Sequence, residues 1–404
     1  MAKSGTKLTR KGVIAIVVAA VLVLGGAAGA TWWMLNQTPA DVPKASKATQ
    51  SATPTPKPKT VLKVAAMGDM LPHDAVNKNA LQADGTYDYG QFFTNILPIY
   101  KGSDVVFCNQ EVPSAGEEMG ISGYPVFNAP KQFAVDLRTE VGCNAINLAT
   151  NHAGDVGPAG ITLTRDLWDT LDPLMISGAN RSAEEQNTIR YADVEGVKFS
   201  LVSFAEYSNS GIDDVSLNKY GNTALFEKLI SEARANSDIV MVSMHWGTED
   251  SHQVNANQTQ YAQRAADLGA DVIIGTGPHV LQPVTWLNRA DGGKTLVWYS
   301  IGNMLSTQLQ LDQRTGVIAT FEVNLEGDKP VIENPVAHLT YLHYDWTAEQ
   351  EAAGELLSRT NLSLNPLASS AELLAKTRFQ GASVDSILAN MTAVLGPDVK
   401  VVAD

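Results

Sequence analysis

Residues 147–157 read Asn147-Leu148-Ala149-Thr150-Asn151-His152-Ala153-Gly154-Asp155-Val156-Gly157, directly after Ala145-Ile146. The run Ala145–Ala149 reads as a buried strand, short and apolar. Gly154, Gly157 and Pro158 then turn the chain before a helix. In an open α/β sheet, side chains at the carboxyl end of a strand face the crevice where ligands bind. An amide beside an imidazole at that position can serve a metal and a proton transfer together.

Outward from this stretch the same pattern repeats. Strands are expected at Val61–Met67, Asp104–Asn109, Phe199–Phe204, Ile239–His245, Val272–Gly275, Leu296–Ser300 and Gly316–Asn324. Helices are expected between them, at Lys131–Val141, Pro158–Thr170, Thr223–Asn236 and Asn257–Leu268. Strands alternating with helices predict an α/β fold, and the late run of strands predicts a mixed sheet. The domain spans 61–346. Residues 347–404 read as a C-terminal helical extension capping it, with helices at Thr347–Ser358 and Ser369–Arg378.

The amino terminus differs in kind. A basic segment, 1–12, precedes Val13–Leu35, 23 residues without a charge that end near Trp32-Trp33. That length spans a bilayer, and the basic flank predicts a cytoplasmic amino terminus with the body outside. The favoured reading is thus an N-terminal transmembrane helix at a cell membrane. The competing reading is a signal peptide cleaved near Ala28-Gly29-Ala30. Residues 36–60, rich in Pro, Thr and Lys, read as a semi-extended linker.

Charge divides at the same boundary. Residues 1–60 carry eight basic residues and one acid, leaving 21 basic and 42 acidic residues beyond, a net of −21. Such a body excludes nucleic acid as a partner. It also disfavours a broad polyanion-binding face unless bound cations reverse the field locally. Cys108 and Cys143 lie in apolar runs. An exported domain permits a disulfide, but two separate buried thiols are the favoured expectation.

Several expected strands end in residues that bind metals or move protons. The first runs into Gly68-Asp69-Met70-Leu71-Pro72-His73, the second into Asn109-Gln110-Glu111, and the third into Asn151-His152. Later ones end at His245-Trp246-Gly247-Thr248-Glu249, at Gly277-Pro278-His279, and near Gly302-Asn303. Each alone reads as a turn, cap or satisfied polar group. A parallel sheet would bring them to one edge. Carboxylate, amide oxygen and imidazole together suit a divalent metal such as Mn, Fe or Zn.

The ordered set GDML (68–71), NQEVP (109–113), NLATNHAGDVGPAGI (147–161), SGAN (177–180), HWGTE (245–249), GADVIIGTGPHVLQPV (269–284) and YSIGNML (299–305) resembles the CapA family of poly-γ-glutamate capsule proteins. That family is similar in fold to the calcineurin-like metallophosphatases. The resemblance implies layers of mixed β-sheet flanked by helices. It implies Asp69 as first metal ligand, Glu111 as bridging acid, Asn151 as amide ligand, and His245 and His279 as imidazole ligands. His152 is implied as the group that contacts phosphate or protonates a leaving oxygen. Glu249 is implied as a ligand or as the residue that orients His245. Asp155 is expected to fix the turn after His152, and Asn303 a loop at the rim.

Two positions depart from the family pattern. Leu71 stands where an imidazole is usual, with His73 as the nearest substitute, and Gly277 stands where a second His is usual. One ion, or two weakly held, is therefore expected. His252, Asp250 and Asp74 are expected to be solvated loop groups. Two functions follow: a metal-dependent phosphoesterase or amide hydrolase/transferase acting on an anionic surface polymer or phosphoester, or a non-catalytic polymer-binding subunit of a membrane polymer synthase. No Ser-His-Asp or Cys-His nucleophile arrangement is evident.

Overall fold

The structure is a computed structural model, and it describes residues 60–404 apart from residue 328. In chain order the strands begin with β1 (Val61–Met70), β2 (Val105–Gln110), β3 (Ala145–Asn147), β4 (Met175–Ser177) and β5 (Tyr191–Val194). They continue with β6 (Val197–Ala205), β7 (Ile239–His245), β8 (Val272–Thr276), β9 (Val284–Asn288) and β10 (Lys294–Trp298). The last five are β11 (Asn303–Leu305), β12 (Thr315–Asn324), β13 (Val331–Asp345), β14 (Thr360–Pro366) and β15 (Lys400–Val402).

They form two sheets. The nine-stranded sheet runs β14-β13-β12-β1-β2-β3-β4, with β11 beside β1 and β15 beside β13, and the six-stranded sheet runs β5-β6-β7-β8-β10-β9. Strands β1 to β4 are mutually parallel, as are β6, β7 and β8, whereas β12, β13 and β14 are antiparallel. The fold is mixed α/β with sheets flanked by helices.

Side-chain alternation explains the layering. On β1, Leu62, Val64 and Ala66 point one way and pack with Phe199, Leu201, Met241 and Ile274 of the other sheet. Ala65 and Met67 point the other way, into a second core with Phe133, Leu137, Ile161 and Trp168. Those four come from helices Lys131–Thr139 and Gly157–Leu171. Beyond the six-stranded sheet, helices Thr223–Asn236 and Ala256–Asp267 supply Phe226, Ile230, Ala262 and Ala265 to a third core. Strands buried on both faces need apolar residues at successive positions, so Val64–Met67 of β1, the start of β2 and most of β7 read as near-continuous apolar runs. Each such buried side chain contributes about 1.5–3 kcal/mol.

Two expectations are corrected. Cys108 and Cys143 are not separate thiols; they form a disulfide, with Cα atoms 5.8 Å apart. The turn after helix Lys131–Thr139 carries Cys143 back over β2, where its N–H donates to the Leu137 carbonyl, just before β3 pairs with β2. Residues 347–404 are not a helical cap alone. They supply β14 and β15, both paired to β13, so the sheet crosses the expected boundary at 346. Strand β14 is half polar, with Asn361 and Ser363 alternating with buried Leu362 and Leu364. The substantial helix there is Val384–Leu395.

The expected anchor at 13–35 and the linker at 36–60 lie outside the described residues, save for Thr60. Among the described residues, no helix is long and apolar enough to cross a membrane.

Candidate metal centre

The carboxyl ends of the parallel strands from both sheets meet at one edge. Asp69 lies near the end of β1, where the register with β2 shifts. Gly68 makes this possible, since a Cβ there would stand 1.9 Å from the Gly302 carbonyl oxygen. That close approach lets Asp69 N–H donate to Gly302 O at 3.0 Å and seats Asn303 of β11 beside Asp69. Glu111 follows β2 directly, its carbonyl held by the Thr150 hydroxyl at 2.6 Å. The preceding Gln110 accepts from Trp168 Nε1 at 2.8 Å, which ties this strand end to helix Gly157–Leu171.

Asp69, Glu111, Asn151, His152, His245, His279 and Asn303 are all buried. Ligand atoms of Asp69, Glu111 and His245 lie within 4.8 Å of one another. Asn151 Oδ1 is 3.0 Å from His245 Nε2. His245 Nδ1 meets the Thr276 hydroxyl at 2.9 Å, so Thr276, and not Glu249, orients that ring. His279 turns Nδ1 toward Asp69 Oδ2 at 3.0 Å and Asn303 Oδ1 at 3.1 Å, and its Nε2 stands 3.9 Å from Glu111 Oε1. Its backbone sits at φ 61°, a left-handed conformation unusual for a residue with a side chain and held here by those two contacts.

Asp69 is fully partnered. It accepts from Asn109 Nδ2 at 2.7 Å and from the Gly277 backbone N–H at 3.1 Å, besides facing His279. Asn109 is in turn held by Asn147 Nδ2 at 2.5 Å, a short ladder of buried amides across β2 and β3. Burial alone would raise the Asp69 carboxyl, but the His279 hydrogen bond and charge outweigh it and hold it low. Gly277 thus serves Asp69 through its backbone. At φ 105° the position suits glycine, so an imidazole-bearing residue would be strained there.

Glu111 is the opposite. Among the described residues, both carboxylate oxygens are buried without a hydrogen-bond partner, and the nearest imidazole nitrogen, His245 Nε2, is 3.6 Å away. Burial, with the Asp69 charge adding to it, pushes the carboxyl well above the usual range. His245 is pulled down to about 4 by burial. Burial also opposes charge on His279, yet Glu111 and Asp69 together lift it to about 10. A buried unpaired carboxylate is costly, and a divalent cation is the partner that its neighbours suit. Two carboxylates, an amide oxygen and imidazole nitrogens form a donor set suited to Mn, Fe or Zn.

His152 sits beside this group. Its Nδ1 contacts Asp155 Oδ2 at 2.7 Å, and Asn209 Nδ2 lies 3.4 Å from Nε2. Asp155 also accepts from the Phe127 N–H at 2.8 Å, so it holds both the ring and the neighbouring loop. Asn209 N–H donates to the Asn151 carbonyl at 2.9 Å.

The other sequence candidates fall around this centre. Asn303 is a buried strand residue against His279 instead of a rim loop. His73 lies at the wall of the cavity above the centre, edge-on to Phe127, with Nδ1 3.1 Å from the Leu71 carbonyl. It is not in the metal-capable group, and burial followed by the Arg359 charge depresses it to about 3. Leu71 is core. Glu249 is exposed on the cavity wall. His252 is no free loop group: it contacts the Leu281 carbonyl at 2.6 Å and Asp312 at 3.2 Å. Asp250 is also engaged, accepting from Gln313 Nε2 at 2.6 Å. Asn109, Asn147, Thr276 and Asn209 were assigned no individual role from the sequence. The first two left a signal, an amide at the end of an apolar strand.

The model of the bacterial capsule synthesis protein PGA_cap family matches residues 63–308. The PGA biosynthesis protein CapA of Bacillus subtilis (strain 168) is 30% identical over 68% of this chain and 72% of its own. The capsule biosynthesis protein CapA of Bacillus anthracis is 26% identical over 61% of this chain and 60% of its own. Solved structures show more distant likeness. A hypothetical protein from Thermus thermophilus has a TM-score of 0.41 at 17% identity, covering 69% of this chain and 99% of its own. The 5'-nucleotidase from Candida albicans SC5314 has a TM-score of 0.40 at 10% identity, covering 68% and 52%. The family match spans most of the domain that builds the centre, and the first relative aligns over more than two thirds of either chain; this protein belongs to the bacterial capsule synthesis protein PGA_cap family.

Proposed function

We propose that this chain acts in the synthesis or export of a capsule polymer of the poly-γ-glutamate type, through a metal-dependent hydrolase or transferase centre of metallophosphatase kind. The observation that carries the catalytic part is Glu111, a fully buried carboxylate with both oxygens unpartnered beside Asp69 and His245. The names of the two Bacillus relatives support the biological part. The uncharged stretch 13–35 behind a basic flank supports a single-pass anchor in the cell membrane, with the body outside and near membrane synthase subunits.

Asp69, Glu111, Asn151, His245 and His279 would hold the ion. When bound, a divalent cation supplies Lewis acidity toward an ester or amide oxygen. The chain's own residues supply the rest. His279 and the Gly277 N–H hold the Asp69 carboxyl low, and Asn109 helps to aim it. The Thr276 hydroxyl holds the His245 ring by Nδ1 so that Nε2 faces Glu111 and Asn151. Asp155 holds His152 by Nδ1, leaving Nε2 to deliver a proton to the departing atom.

The test is elemental analysis of the purified full-length chain, with turnover of a phosphodiester and of a γ-glutamyl amide before and after chelation. Bound metal and chelator-sensitive turnover are expected. Wild-type metal content in both His245→Ala and Glu111→Gln would overturn the centre. Metal without turnover on either substrate would assign the chain the accessory, polymer-binding role.

A further inference from the structure

Over the centre lies a cavity of about 490 Å³ whose lining is part apolar and part polar. One wall is the segment Tyr124-Pro125-Val126-Phe127. Tyr124 is 74% exposed and Val126 49%, although both are apolar in body. The segment is anchored: Phe127 donates its N–H to Asp155 at 2.8 Å and sets its ring 4.7 Å from His152, edge to face. This apolar wall therefore runs up to the proton-delivering imidazole. The lining also includes the polar Asn209, Ser210 and the exposed Glu249. Nearby Tyr207 is 45% exposed, and burial followed by the Glu249 charge raises its hydroxyl above the usual range.

Among the described residues, no lysine or arginine lines the cavity. Sites that take multiply charged phosphate or carboxylate groups commonly present arginine forks or lysines to them. The lining carboxylates are Asp155, which is engaged by His152, and the exposed Glu249, on a body of net charge −21. Such a mouth repels an anionic arm and attracts a cationic one. A carboxylate next to an exposed tyrosine ring also suits an ammonium group, by charge and by the face of the ring.

We propose that the cavity receives an alkyl arm ending in a protonated primary amine, joined through its other end to the amide or ester on which the centre acts. The arm lies along the Tyr124–Phe127 wall, and its ammonium group meets Glu249. This rests on the hydrolase reading of the centre. For an amide, the acyl C–N bond breaks and the acyl carbon gains the oxygen of water. Both protons of that water end on the departing nitrogen, one of them through His152, leaving a carboxylate and a second ammonium. The reaction is redox-neutral and needs no further reactant.

The experiment compares two amides with full-length, metal-loaded protein: γ-glutamyl-1,5-diaminopentane and the same molecule acetylated on its far amine. We expect kcat/KM at least tenfold higher for the free amine, with the ratio falling to near one in Glu249→Gln and partly restored in Glu249→Asp. Equal values in the wild type, or a preference that survives Glu249→Gln, would overturn the proposal while leaving the hydrolase reading intact. If neither amide turns over, calorimetric binding of N-acetyl-1,5-diaminopentane decides. Binding weakened about tenfold by Glu249→Gln sustains the amine site although the hydrolase reading has failed. Binding indifferent to that substitution, or no binding, overturns the site.

Discussion

Asp69 and Glu111 stand at the ends of neighbouring parallel strands, both sealed from solvent, yet their surroundings treat a negative charge in opposite ways. Around Asp69 the folded chain provides an amide, a backbone N–H and an imidazole, and the carboxyl is held low. Around the Glu111 carboxylate no partner stands within hydrogen-bond reach among the described residues, and burial pushes the carboxyl up. The first half of the centre is finished by protein alone. The second half is finished, on the proposed reading, by a cation.

The largest expected effect tests whether proton delivery is separate from both halves. His152 is tied to Asp155 and Asn209 instead of to either carboxylate. His152→Ala should lower kcat by roughly 10²–10⁴-fold with metal content unchanged. Loss of metal in step with activity would place His152 among the ligands.

The next effect sets the two carboxylates directly against each other. Without metal, Glu111→Met should stabilise the chain by roughly 1–3 kcal/mol, because an unpaired buried acid is replaced by an apolar side chain. Asp69→Leu should instead destabilise it by about 3–5 kcal/mol, since it strips partners from buried groups. Urea midpoints in chelator measure both, and equal signs would dissolve the contrast. Both variants should lose metal.

A smaller effect is expected from the amide ladder. Asn109→Ala removes the 2.7 Å hydrogen bond that aims Asp69 and should weaken metal affinity roughly 10–100-fold, as loss of outer-shell partners does. Competition with a chromophoric chelator reads this out. Unchanged affinity would mean that Gly277 and His279 suffice to hold the carboxylate.

The smallest effect is in pH. In the metal-free chain His279 titrates at about 10, against 6.5 for an ordinary histidine. Its folded value is raised, so its contribution to stability is complete below about pH 6.5 and is lost as pH rises toward 10. Chelated wild type should therefore lose stability from pH 6.5 to 9.5, and His279→Gln should lose less over that window. Parallel pH profiles would show that His279 is not charged by the two carboxylates.

Much of this was legible in the chain. Strand β7 and helix Thr223–Asn236 fall where periodicity predicts them, because a strand buried on both faces and a helix with one apolar stripe leave strong patterns. Strands β13 and β14 left weak ones. Pro335 interrupts the first, and the second is half polar, while their stability comes from long-range pairing. The disulfide was equally hidden, since spacing along the sequence does not say which turns return a cysteine over a neighbouring strand.

The candidate site divides in the same way. Residue types at strand ends pointed to one edge that includes Asp69, Glu111, Asn151, His152, His245 and His279, because a parallel sheet sends those ends together, and their individual roles were implied only by the family resemblance. Which of two buried acids has partners, that Thr276 instead of Glu249 holds His245, and that Gly277 works through its backbone were decided only by tertiary structure. The physical reason is range. Side-chain type and alternation are local and written in the sequence, whereas hydrogen bonds of about 3 Å between residues two hundred positions apart depend on the packing of two sheets.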